Sequence, residues 1–212
     1  ICSRMGMILE ALALYERDMQ ITERSLNNDD LRVIGSKYNS GLTLCKLGRY
    51  ADALTLLEDV LRVRTAALGS EHVDVANALT CIGGIHSCTG QHAEALDRYQ
   101  QATSIRKATL GPDHVTVAMS LRNSGTALAC LGQTSLAIEH FEEAYAILLR
   151  QMGPEHPISA KAKELLADLT SGNPRAQAVA IVDPTTAARP LHPAIESLLR
   201  RHDDAVARAS AA

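Results

Sequence analysis

A chain of 212 residues with a formal net charge of −3 has room for one or two globular domains or one elongated array, and it lacks the concentrated basic face that nucleic acid requires. Its residues are 46% hydrophobic but only 3% aromatic, with no Trp, so Ala and Leu must do the packing, which suits close helix–helix contact better than sheets. No apolar run approaches the ~20 residues of a membrane-crossing helix, and the five cysteines (Cys2, Cys45, Cys81, Cys88, Cys130) form no CxxC pair, which predicts reduced thiols in a cytoplasmic protein without metal or cofactor.

Three glycine series set the organisation. A step of 42 residues separates Gly69, Gly111 and Gly153, and the same step links Gly6, Gly48, Gly90 and Gly132. A third series, Gly41, Gly83 and Gly125, continues as Ala167. A fixed period of this length is the mark of a repeat architecture, in which each unit buries its apolar face only by stacking on its neighbours.

In chain order, the sequence opens at Ile1 inside a helical pattern, as a piece of a larger parent chain would, and residues 8–26 read as the second helix of a truncated unit. Complete two-helix units follow at about 28–69, 70–111 and 112–153. In the best copy, Val75, Ala76, Leu79, Ile82, Gly83 and His86 share one face of the first helix. Gly90 is placed for a left-handed cap, and Ala95, Leu96, Tyr99, Ala102 and Ile105 form the inner face of the second helix. Gly83 and Ala95 mark where the two helices approach closely. Tyr99 and its equivalents Tyr15, Leu57 and Phe141 fill the space between neighbouring units. Arg106 and Lys107 are expected to complement the negative end of that helix, and Pro112 and Pro154 to sit as first-turn prolines after the glycine caps. Residues 157–169 read as a capping helix with a polar outer face (Lys161, Lys163, Glu164, Asp168), which completes an array over 1–170.

Beyond Leu169 the register is lost. Residues 171–190 form an Ala-, Pro- and Thr-rich linker, and residues 191–212 an amphipathic helix with Ile195, Leu198, Leu199, His202, Val206 and Ala209 on one face. That helix is expected to cover the end of the array; lying in the array's own groove as an inhibitor, or beginning a further segment, are the other readings. The predicted fold class is all-α: a superhelical solenoid of antiparallel helix pairs with a C-terminal linker and extra helix.

The residues at the core positions narrow the repeat type. Leu79, Ile82, Gly83, Ala95, Tyr99 and Ala102, with Leu121, Gly125, Ala137, Phe141 and Ala144 in the next copy, resemble the tetratricopeptide repeat (TPR) pattern. The inter-unit segments Leu68-Gly69-Ser70-Glu71-His72, Leu110-Gly111-Pro112-Asp113-His114 and Met152-Gly153-Pro154-Glu155-His156 are similar to those of the kinesin light chain type. The resemblance covers about residues 6–169. It implies an α-α superhelix whose first helices line a concave groove, and it implies groove positions at Tyr38, Asn39, Leu42, Cys45 and Lys46, then Asn77, Thr80, Cys81, Gly84 and Ser87. The next copy supplies Met119, Arg122, Asn123, Thr126 and Ala129, and the capping helix Lys161, Glu164 and Leu165. Asn39 and Asn123 match the family's groove asparagines, whereas Cys81 takes that place in the middle copy.

A carboxamide both donates and accepts, so Asn39 and Asn123 suit gripping a peptide backbone, and Lys46 and Arg122 suit drawing in an acidic residue. His72, His114 and His156 stand in successive units ~10 Å apart, too far to meet one ion at ~2 Å, and are expected to hydrogen-bond at helix starts. Cys81 and Cys88 share a helix face, but the nearby His86 and His92 give no nucleophile–base context, and no phosphate-binding, serine-hydrolase or zinc-protease motif occurs. The expected role is therefore a non-enzymatic scaffold binding a peptide or helix of a partner protein, resembling kinesin light chain cargo-binding domains, with kinesin heavy chain or cargo association in view. The alternative is a sensor or regulatory array of a larger, multidomain protein.

Overall fold

Three helices begin at a histidine. In the computed structural model, which describes residues 8–10, 12–15, 17 and 31–171, the Nδ1 atoms of His72, His114 and His156 accept the backbone N–H of Asp74, Thr116 and Ile158 at 3.1, 3.2 and 3.2 Å. The histidine backbone is extended, with ψ of 142°, 140° and 134°. The imidazole thus does what an Asn or Ser side chain does at an N-cap.

The described residues at 8–17 are helical, and seven helices follow: α1 (Leu31–Lys46), α2 (Tyr50–Leu68), α3 (Val73–Cys88), α4 (His92–Leu110), α5 (Val115–Cys130), α6 (Thr134–Met152) and α7 (Pro157–Thr170). They form stacked antiparallel pairs, α1/α2, α3/α4 and α5/α6, with α7 against α6; α1 also touches α3. The expected amphipathic helix at 191–212, and all of the expected linker but Ser171, lie outside the described residues.

Within a pair the first helix ends in a glycine turn. Gln91 donates to the His86 carbonyl at 2.8 Å and Gly90 to the Ser87 carbonyl at 3.2 Å, the paired bonds of a Schellman cap, and Gly90 has φ of 80°. The same two bonds recur at Gly48/Arg49 and Gly132/Gln133, and the second helices that follow have no side-chain cap. Between pairs the joint differs. Gly69, Gly111 and Gly153 combine φ of 86°, 89° and 81° with ψ of 156°, 154° and 168°, an extended left-handed conformation open in practice only to glycine. Pro112 and Pro154 are not first-turn residues: they stand in the turn before the capping histidine, because that histidine and not the proline sets the helix start. Pro157 takes the first helical position of α7.

The core is built on three notches. A Cβ placed on Gly83 would lie 2.8 Å from Tyr99 Cε1 and 3.3 Å from the Ala95 carbonyl oxygen. Gly125 stands likewise 3.0 Å from Phe141 Cε2, and Gly41 2.9 Å from Leu57 Cγ. Each large side chain fills the glycine notch of its own pair and also reaches the next one. Phe141 clusters with Leu128 on α5 and with Leu165 and Leu169 on α7; Leu57 clusters with Ile82 and Ile85 on α3. Full burial of a side chain such as Phe141 stabilises by roughly 1.5–3 kcal/mol, a gain that requires the neighbouring pair to be present.

Gly83 and Gly84 make a matched comparison, since a Cβ on Gly84 meets only the Tyr99 hydroxyl at 3.8 Å. Urea unfolding is expected to show Gly83→Ala destabilised by about 1–3 kcal/mol through overpacking. Gly84→Ala should be neutral or gain up to about 1 kcal/mol from helix propensity. Equal behaviour of the two variants would contradict the notch.

Candidate functional site

The expected groove residues lie on the first helices α1, α3 and α5. Asn39 and Lys46 on α1 are exposed, and Leu42 is half-buried. On α3 and α5, Asn77, Thr80, Cys81, Met119, Arg122, Asn123 and Thr126 are all half-buried. Thr80 and Thr126 turn their hydroxyls back onto their own helices, donating to the carbonyls of Ala76 and Arg122 at 2.8 and 3.0 Å. The carboxamides of Asn39 and Asn123 make no hydrogen bond within the described residues, whereas that of Asn77 is committed.

What commits Asn77 is a polar cluster between α1 and α5. Arg106 on α4 donates through Nη2 to Asn77 Oδ1 at 2.8 Å and through Nη1 to the Ser120 hydroxyl, so it ties α3 to α5. Arg64 on α2 donates to the Asp74 backbone carbonyl at 3.1 Å and lies 4.4 Å above the Tyr38 ring. The Tyr38 hydroxyl in turn shares a 3.4 Å hydrogen bond with the Cys81 sulfur. Burial raises the Tyr38 hydroxyl and Cys81 thiol pKa values above their ordinary ranges and lowers that of the Arg106 guanidinium. Arg64 and Arg106 pull back against the rise at Cys81.

The cluster joins three expected positions, Tyr38, Asn77 and Cys81, and adds Arg64, Arg106 and Ser120, which were not expected there. Arg106 is a correction: instead of meeting the helix end in water it is 6% exposed. It stands seven residues after Tyr99 and therefore on the same inner face, a signal present in the sequence. Its neighbour Lys107 points the other way and pairs with Glu143 on α6 at 2.7 Å. A separate cleft of about 340 Å³ opens between α2 and α4, lined by Leu61, Ser70, Glu71, Arg98 and Ser104 among others, and contains none of the expected groove residues. Among the described residues no three His, Cys, Asp or Glu side chains gather as a metal site would need, and no helix is long and apolar enough to cross a membrane.

Comparison with known proteins agrees with the fold. A family model described as tetratricopeptide repeat matches twice, over residues 33–108 and 74–150. A crystal structure of a Podosopora anserina kinesin light chain protein with nearly identical TPR-like repeats is 23% identical, with a TM-score of 0.68, covering 92% of this chain and 90% of that one. A single-substitution form of that protein gives a TM-score of 0.69 at the same identity and coverage. The structure of BtubC (BKLC) from P. vanneervenii is 18% identical with a TM-score of 0.70, covering 93% of this chain and 76% of that one. At these identities the likeness is one of fold. No curated protein matches the chain.

The thiols of the first helices also give a direct probe of burial. Desolvation, reinforced by the neighbouring Cys81 and Cys88, pushes the Cys45 thiol up to about 12. Because the thiolate is the nucleophile, the reactive fraction at pH 8 falls and recovers only as pH climbs toward that value. Iodoacetamide at pH 8 is expected to modify Cys45 on the order of a hundredfold more slowly in the folded chain than in urea, by peptide mapping. Comparable rates would show the site to be open.

Proposed function

The chain belongs to the tetratricopeptide repeat family, and from that premise we propose that it holds a peptide or helix of a partner protein along its first helices. Such repeats are generally protein-interaction modules. The observation that carries the finer reading is the pair of uncommitted carboxamides, Asn39 and Asn123, at equivalent positions two units apart on that face. A row of side chains that both donate and accept can hold an extended backbone with little regard to its sequence. Exposed Lys46 and half-buried Arg122 flank it and favour an acidic residue in the ligand. The inter-unit segments similar to those of kinesin light chains support a cytoplasmic cargo-adaptor setting, with a motor heavy chain or its cargo as partner.

A display screen against the full chain supplies a ligand peptide, and calorimetry then measures the variants. Asn39→Ala and Asn123→Ala are each expected to weaken binding by about tenfold, the scale of a hydrogen bond lost at an interface. Unchanged affinity in both variants would sink the groove reading.

A further inference from the structure

We propose that Arg64 and Arg106, with Tyr38, Asn77 and Ser120 around them, form a site on the groove floor for a phosphoryl group carried by the bound peptide. The inference rests on the groove reading above and names the chemistry of what the groove takes.

Neither arginine has a carboxylate partner among the described residues. Asp74 makes a carboxylate ion pair with neither of them. Arg64 holds its backbone carbonyl, and its carboxylate faces His72 at 3.7 Å and the Asn77 amide at 3.4 Å, so it reaches Arg106 only through a neutral carboxamide. Asp59, the acidic residue of α2 nearest Arg64 in sequence, is held by Lys37 and Arg62. Cys81 stands against the cluster as a neutral thiol, because burial holds its pKa up. The two guanidinium groups therefore share one polar cluster without a directly paired carboxylate among the described residues.

Burial of this kind is costly unless something answers it. Arg106 is buried, and its Nε–H has no acceptor among the described residues. The fold does not demand an arginine there. Arg64 and Arg106 occupy one repeat position, 42 residues apart, and the next copy puts Leu148 in that place, 1% exposed and packed in the core. A scaffold that accepts leucine at this position carries arginine in two adjacent units, and there between α1, α3 and α5. That pattern is expected of a recognition site.

Two cations on different helices favour a dianion over a single carboxylate. A carboxylate is planar, singly charged and satisfied by one guanidinium fork, whereas a phosphoryl group offers three oxygens and nearly two charges to span both. The Tyr38 hydroxyl and the Asn77 amide can supply further donors, Asn77 already orienting Arg106 through its oxygen.

The test uses the full chain, with inorganic phosphate and O-phosphoserine as probes and potassium chloride and succinate at matched ionic strength as controls. Phosphate and phosphoserine are expected to raise the melting temperature in a saturable way that the controls do not reproduce. Arg64→Gln and Arg106→Met should each reduce phosphoserine affinity at least tenfold. Without ligand, Arg106→Met should melt no lower than the parent, as the leucine in the next unit implies; if that variant fails to fold, Arg64→Gln alone decides. Lys107→Gln, which removes a cation paired with Glu143 away from the cluster, should leave phosphoserine affinity unchanged, which separates this site from a general attraction of anions to the array. A phosphate effect no larger than that of chloride, one matched by succinate, or one that survives both arginine variants would overturn the proposal.

Discussion

The glycine notch under Tyr99, Phe141 and Leu57 is the contact from which the rest of the architecture follows. With no Cβ on Gly83, Gly125 or Gly41, a ring or branched side chain from the second helix lies directly on the first helix's backbone. That fixes the depth at which two helices of a pair mesh. It also decides where the far side of the same large residue emerges, which is against the following pair. One contact therefore sets both the geometry within a unit and the surface on which the next unit docks. The hydrophobic clusters run across unit boundaries for this reason, and the array's stability is shared between neighbours.

Much of this was legible because the signals are local and repeated. A glycine recurring every 42 residues can be read without knowing the fold, and its neighbours told which kind of joint it makes. The capping histidines were legible too, since their even spacing ruled out convergence on one ion and left hydrogen bonding at helix starts. The prolines were misplaced by a few residues, because Pro112 and the cap at His114 compete for the same role and the sequence does not rank them. Arg106 was misread for a different reason. Charge near the end of a helix invites an electrostatic reading, yet its register, seven residues after Tyr99, turns it inward. Only three-dimensional proximity to Asn77 and Ser120, on two different helices, shows where it goes.

Uniform and variable positions divide the labour. Positions that hold the notch, the caps and the joints are close to invariant from unit to unit. Those on the floor are not: Tyr38, Thr80, Arg122 and Glu164 occupy one repeat position, and Arg64, Arg106 and Leu148 another. A regular scaffold thereby presents an irregular surface, and chemical identity accumulates in the places that packing leaves free. The polar cluster sits where two such variable columns meet.

The joints at Gly69, Gly111 and Gly153 carry a consequence for how such a chain can change its length. Each joint is the same three-part device: a glycine in a backbone state no other residue tolerates, a short turn, and a capping histidine. Recombination that adds or removes one whole unit reproduces every joint intact, so the gene can grow or shrink by modules. A single-residue insertion has no such freedom, because it moves a side chain into the glycine's place and puts the histidine out of reach of its amide. Length changes in this array are thus quantised by its joints, in steps of one 42-residue unit.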